Sequence, residues 1–199
     1  MASSPIRYLL FDIESVTDGQ LISKIRFPNE DLSPGEATAR YQIELKERTG
    51  SEFVPYTYHL PIAVAIIKIR QDFRIDDIKT LDDDQYRPHI ITKHFWEGWN
   101  AYHKPTLISF NGRTFDIPLM ELAAYRYGIS IPGWFNQADR SYEQKRNRFN
   151  QNSHIDLQEV ITNFGATRLN GGLNLMANIL GKPGTVSYTH LTLPTIYSV

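Results

Sequence analysis

Short solid apolar runs alternate with helical repeats along the chain. Ile6-Arg-Tyr-Leu-Leu-Phe-Asp12 is an apolar run ending in polar residues and reads as a buried strand. A polar, proline-containing stretch follows from Thr17 to Gly35. Glu36 to Lys46 predicts a helix, with Ala37, Tyr41 and Leu45 recurring every four residues. Pro61 to Arg70 is rich in β-branched residues and is the strongest strand signal, and Phe73 to Leu81 pairs with it as a third strand. His89 to His103 predicts a helix carrying Ile90, Ile91, Phe95, Trp96 and Trp99 on one side, ended by Pro105. Thr106 to Phe110 is another short strand, and Asn111-Gly112 is a turn signal. Ile117 to Tyr127 predicts a helix closed by Gly128. Asp156 to Phe164 and Leu173 to Leu180 read as two more short helices. Strands first, then strand–helix alternation, predict one α/β domain with a mixed sheet flanked by helices.

Composition narrows the function classes. With 41% apolar and 22% charged residues, the 199-residue chain can build a packed core. A formal net charge of -1 excludes a polycation, so any nucleic-acid contact must use a local basic patch. Having no cysteine, the chain can carry no disulfide, thiol nucleophile, Fe–S cluster or zinc ribbon. Leu60 to Ile67, the longest apolar stretch, is too short to span a bilayer, and the first residues lack a signal-peptide pattern. The expectation is a soluble, cytoplasmic protein with no membrane partner.

Two places concentrate acidic groups at predicted strand ends. Asp12 and Glu14 flank Ile13 on the first strand, and alternation points them the same way. Adjacent carboxylates repel unless a cation sits between them, and Mg²⁺ or Mn²⁺ prefers such oxygen ligands. The alternative is an ordinary strand end meeting solvent. Asp116 follows the Asn111-Gly112 turn at the start of a helix, where it could also serve as an N-cap with Pro118 in the first turn. Together they offer three acidic groups from two strand ends of one sheet, where open α/β folds place their sites.

These residues carry a family resemblance. Leu10-Phe-Asp-Ile-Glu14 resembles the first motif of the DEDD 3′–5′ exonucleases, and Phe110-Asn-Gly-Arg-Thr-Phe-Asp116 the second. Asn-Gly-x-x-Phe-Asp followed by Ile-Pro, then His154-Ile-Asp-Leu and Leu180-Gly-Lys-Pro-Gly184, is similar to the predicted exonucleases related to the proofreading domain of family B DNA polymerases. The resemblance runs from about Ile6 to Gly184. It implies an RNase H-like fold and hydrolysis of phosphodiester bonds at DNA 3′ ends or in single-stranded DNA. Two Mg²⁺ or Mn²⁺ ions about 3.5–4 Å apart would do this chemistry. Asp12 would bridge the ions, Glu14 would hold the one that activates water, and Asp116 would help hold the other. Asn111 and Phe115 would line the slot for the 3′-terminal nucleotide, and His154 would be a further substrate contact. For Phe115 the alternative is a core aromatic. A ribonuclease of the same fold and a non-catalytic nucleic-acid-binding module are the alternative readings.

The family's third motif supplies a Tyr and a fourth Asp four residues apart. No Asp follows Asp156 here, so that pair is missing and the chain is expected to turn over little or not at all. From Pro183 to Val199 there is no charged residue in 17, and ten consecutive residues from Val186 match one reading frame of a transposon-type sequencing adapter. The expected division is an exonuclease domain over 1–184, incomplete at its C-terminus, and a non-native read-through tail over 185–199. Weaker signals remain. His154 and Asp156 could pair on a metal, or Asp156 could open a capping box with Glu159. Arg140, Lys145, Arg146 and Arg148 could grip a phosphate backbone, or form a solvated helix face. Asp82-Asp-Asp84 reads as solvated surface.

Overall fold

A computed structural model describes residues 5–137 and 140–184. The read-through segment expected over 185–199 lies outside the described residues. Five strands form one mixed sheet in the order β3-β2-β1-β4-β5. Strand β1 (Ile6–Thr17) pairs antiparallel with β2 (His59–Arg70), and β2 antiparallel with β3 (Ile75–Thr80). On its other side β1 pairs parallel with β4 (Thr106–Ser109), which pairs parallel with β5 (His154–Asp156). This is the α/β architecture expected of an RNase H-like fold.

Alternation along the strands sorts the two faces. Leu9, Phe11 and Ile13 of β1, Val64 and Ile66 of β2 and Leu107 of β4 are buried together. Helix α3 (Pro88–Ala101) covers them with Ile91, Phe95, Trp96 and Trp99, and helix α4 (Asp116–Arg126) with Leu119, Met120 and Ala124. Trp96, Trp99 and Trp134 pack at centroid distances of 5.5–6.0 Å, a spacing at which edge-to-face rings attract. Their buried N–H groups are all satisfied. Trp96 donates to the Met120 carbonyl, Trp99 to the Pro105 carbonyl and Trp134 to the Glu121 carboxylate. The opposite face is sparsely covered. Ile75 and Ile78 of β3 are 60% and 63% exposed, and Phe73, stacked 5.8 Å from Tyr8, is 76% exposed.

The stretch from Thr17 to Gly35 is not an open loop. Asp18 caps a helix, α1 (Gly19–Arg26), by accepting from the Leu21 N–H at 3.0 Å, and its other oxygen binds Arg126 at the end of α4. Helix α2 (Pro34–Thr49) opens with a Ser33/Glu36 capping box and closes on Gly50, whose φ of 78° is left-handed. Ile22, Phe27, Ala37, Tyr41, Leu45 and Val54 form a second small core between α1 and α2.

Two further differences come from short segments. His154–Asp156 is a strand, so the helix expected from Asp156 begins after it as α5 (Leu157–Ile161); α6 (Gly172–Ile179) follows. The region of Arg140 to Arg148 holds one 3₁₀ turn over Ser141–Glu143 and is otherwise irregular, so it is no solvated helix face. Among the described residues no helix is long and apolar enough to cross a membrane.

Candidate active site

The strand runs on to Thr17, so Asp12 and Glu14 stand exposed in its second half rather than at its end, on the face opposite Phe11 and Ile13. On the neighbouring strand they register with Ala65 and Ala63, whose single methyl groups leave the carboxylates room. A bulge between Glu14 and Ser15 follows directly and re-aims the end of the strand. Burial raises the pKa of the Glu14 carboxyl, and the charge of Asp12 raises it further.

Asp116 is the first residue of α4 rather than its cap, which is Phe115, and its side chain makes no capping bond. It is 8% exposed. Burial, then the charge of Asp12, then those of Asp156 and Glu14, push its carboxyl up to about 7, against a smaller opposing effect of its own N–H. The fold therefore brings Asp12, Glu14 and Asp116 into one electrostatic neighbourhood. Among the described residues none of the three has a Lys, Arg or His within ion-pairing distance. Nor is any group of three His, Asp or Glu side chains arranged there so that it could hold a metal ion. The donor set itself is all carboxylate oxygen, which suits Mg²⁺ or Mn²⁺.

The loop that delivers Asp116 is held from behind. The Asp156 carboxylate accepts the backbone N–H groups of Asn111 at 2.8 Å, Arg113 at 2.9 Å and Gln158 at 3.0 Å. One side chain thus caps α5 and clamps the turn, with both oxygens accepting backbone N–H groups. The expected capping box is only half present. Glu159 instead binds Arg113 at 2.7 Å and Arg148 at 2.7 Å. Gly112 is required by close approach: a Cβ there would lie 2.4 Å from the Ser109 Oγ and 3.0 Å from an Asp116 oxygen.

The expected nucleotide contacts separate. Asn111 is exposed, with φ at 62°; its Oδ1 accepts from Thr114 at 2.9 Å and Gln158 at 3.2 Å. Phe115 is half-buried at the site. His154 is not at the site mouth. It is 1% exposed and packed 6.2 Å from Phe11, so it cannot touch a ligand at the surface. Its Nε2 lies 2.8 Å from the Ser109 Oγ and its Nδ1 has no partner. A bare lone pair costs less than a buried unbonded N–H, so the proton belongs on Nε2, which donates to Ser109. Burial, and then Arg113, hold this imidazole down to about 3, and it stays neutral.

Sequence reasoning missed an aromatic group beside Phe115. Phe53, 63% exposed, packs against Phe115 at 5.7 Å and His59 at 6.0 Å, and His59 meets Phe115 edge-on at 5.3 Å. His59 is fixed on both nitrogens, by the Ser15 hydroxyl at 2.9 Å and the Val54 carbonyl at 3.1 Å. No local pattern could have shown this, because its members come from three separate segments.

Residues 51–190 match the family described as predicted 3′–5′ exonucleases related to the exonuclease domain of PolB. The chain belongs to this family. The PolB-related exonuclease chain superposes on the family B DNA polymerase from the hyperthermophilic archaeon Pyrobaculum calidifontis with a TM-score of 0.50 at 14% identity. That match covers 89% of this chain and 18% of the polymerase. It also aligns with E. coli exonuclease I in complex with a dT13 oligonucleotide, with a TM-score of 0.40 at 15% identity, over 82% of this chain and 30% of that one. It spans less than a third of the length of either. No curated protein matches it.

Proposed function

We propose that this member of the PolB-related exonuclease family is a metal-dependent 3′–5′ exonuclease acting on DNA 3′ ends. The observation that carries the reading is the set of Asp12, Glu14 and Asp116, mutually repelling and without a cationic partner among the described residues. These three would hold Mg²⁺ or Mn²⁺, which when bound polarises a phosphate oxygen and lowers the pKa of bound water.

The chain's own groups account for holding the substrate. Phe53 and Phe115 offer ring faces on which a terminal base stacks, a contact worth about 1–3 kcal/mol per base. His59, held by Ser15 and Val54, keeps those rings in place, and burial lowers the pKa of its imidazole. The Nδ2 of Asn111 has no partner among the described residues and is the group free to donate to a sugar or phosphate oxygen. Asp156 fixes the loop on which Asn111 and Asp116 ride. In this reading residues 1–184 make up the nuclease domain and 185–199 take no part in it.

One observation favours a second reading, a nucleic-acid-binding module without turnover. The Asp156 carboxylate, the acidic group behind the Asp116 loop, is taken up on both oxygens by backbone N–H groups rather than left open beside the other three. A 5′-labelled single-stranded DNA incubated with Mg²⁺ or Mn²⁺ separates the two. Stepwise shortening from the 3′ end, abolished by chelator and reduced about 10²-fold or more by Asp12→Asn, supports the exonuclease. Binding with no shortening supports the module, and an RNA strand run in parallel tests the ribonuclease alternative.

A further inference from the structure

Arg140, Lys145, Arg146 and Arg148 lie close in sequence, and the fold takes the group apart. Arg146 is held by both oxygens of Glu121 at 2.8 and 2.9 Å, Arg148 by Glu159 at 2.7 Å, and Arg140 lies by the Tyr142 hydroxyl and Glu143. Lys145 remains. Its backbone is pinned on both sides, its N–H donating to Asn136 at 3.0 Å and its carbonyl accepting from Ser153 at 2.6 Å. The side chain is half-buried. Burial, and then the positive charges of Lys104 and Arg7, hold its ammonium below the ordinary lysine value.

Those two neighbours come from distant parts of the chain. Arg7 is the second residue of β1, and Lys104 sits in the loop before β4. Arg7, His103 and Lys104 line a cavity of about 430 Å³. Asp76 also lines it, but Arg70 already binds that carboxylate at 2.7 Å. His103 and Lys104 both hold left-handed backbone, with φ of 62° and 59°, and the Lys104 N–H is anchored on the Trp99 carbonyl at 2.8 Å. The Lys104 side chain lies against Gly133, where a Cβ would come within 2.8 Å of its Nζ, and the Lys145 N–H is held three residues on by Asn136, so Lys145 flanks the cavity without lining it. Among the described residues none of Arg7, Lys104 and Lys145 has an acidic partner. Gathering three cations, one of them half-buried, is unfavourable until an anion joins them.

We propose that Arg7, Lys104 and Lys145 form a phosphate-binding site at the opposite end of β1 from Asp12 and Glu14, and that it takes the backbone of a single nucleic-acid strand. From Arg7 to Asp12 the strand rises roughly 17 Å at about 3.3 Å per residue. A stacked strand places a phosphate every ~3.4 Å, so about five phosphates span that length. That rise is the shortest path between the two, so a strand well over about five nucleotides long can reach both and one of about three cannot. The proposal shares with the exonuclease reading only the nature of the ligand, and it does not require cleavage.

The test is binding in chelator, where nothing is cleaved. Labelled oligothymidylates of about twenty and about three nucleotides are titrated against the full chain and read by fluorescence anisotropy. The variants are Arg7→Gln, Lys104→Gln, Lys145→Gln, their triple combination, and Lys93→Gln as a charge control, all matched by circular dichroism. Each site variant should weaken binding of the long strand several-fold. The triple variant should flatten the slope of log affinity against log salt by about 2, at ~0.7 per phosphate contact. The control and the short strand should not respond. Long-strand binding by the triple variant equal to the parent overturns the site. So does stabilisation of the parent alone by inorganic phosphate or thymidine monophosphate with long-strand binding unchanged, which would mark a free-phosphate site. Metal-dependent cleavage that survives such a result leaves the exonuclease reading standing, and binding that survives Asp12→Asn without cleavage leaves this site standing.

Discussion

Asp156 and Asn111 are 45 residues apart, and the carboxylate of the first accepts the backbone N–H of the second at 2.8 Å. With the bonds from Arg113 and Gln158, this one side chain ties β5, α5 and the loop bearing Asp116 into a unit. Removing it strands three N–H groups at once. Asp156→Ala should cost about 2–4 kcal/mol in urea denaturation, and Asp156→Asn, which keeps one acceptor oxygen, clearly less. Equal losses for the two would show that the carboxylate's hydrogen bonds are not what matters.

Asp116 makes stability fall as pH rises. Its carboxyl is raised from 3.8 to about 7 in the fold, so between those values the native state holds a proton that the unfolded chain has released. The contribution is complete below pH 4 and gone above pH 7. In chelator, Asp116→Asn should gain roughly 2–4 kcal/mol on the parent between pH 4 and pH 8 in melting experiments. Mg²⁺ added at pH 8 should raise the melting temperature of the parent and not that of the variant.

His154 acts with the opposite sign. Its imidazole is lowered from 6.5 to about 3, so the unfolded chain binds a proton that the native state refuses. Stability is present above pH 6.5 and is lost as pH falls toward 3. His154→Gln should be less stable than the parent at pH 8, where it loses the fit to Ser109, yet lose less on acidification to pH 4. A parallel acid profile for the two proteins would contradict a neutral buried imidazole.

Phe53 is an exposed ring with no core to fill, so its truncation separates binding from folding. Phe53→Ala should leave the stability to urea within ~0.5 kcal/mol of the parent's and raise KM for single-stranded DNA by about 5–50-fold, with kcat less affected. An unchanged KM would remove the stacking surface from the site.

The sheet and its main helices were legible because their signals are local. Pro61 to Arg70 is β-branched, and Ala37, Tyr41 and Leu45 repeat at helical spacing and are all buried on α2. Short elements were not. The three residues of β5 owe their strand to pairing with β4, a contact no window of sequence contains. Helix α1 was hidden in a polar stretch because its cap, Asp18, is fixed by Arg126 from the far end of α4. At the site, the two motifs led to Asp12, Glu14 and Asp116 as one neighbourhood. His154 was misplaced because sequence proximity to Asp156 says nothing of depth. Both side chains lie on the same face of β5 and both are buried: the His154 ring packs beside Phe11, while the Asp156 carboxylate, at the end of the strand, takes the loop N–H groups.

The outer strand β3 carries Asp76 and Asp77 between its exposed isoleucines and Lys79 just beyond them. An unpaired strand edge with an apolar face is a template for adding another chain. Here any incoming strand would have to desolvate those charges, two of which are already committed to Arg70 and Lys68 across the sheet. The same arrangement that completes the pairing of β2 therefore keeps the molecules from stacking edge to edge into fibres as their concentration rises.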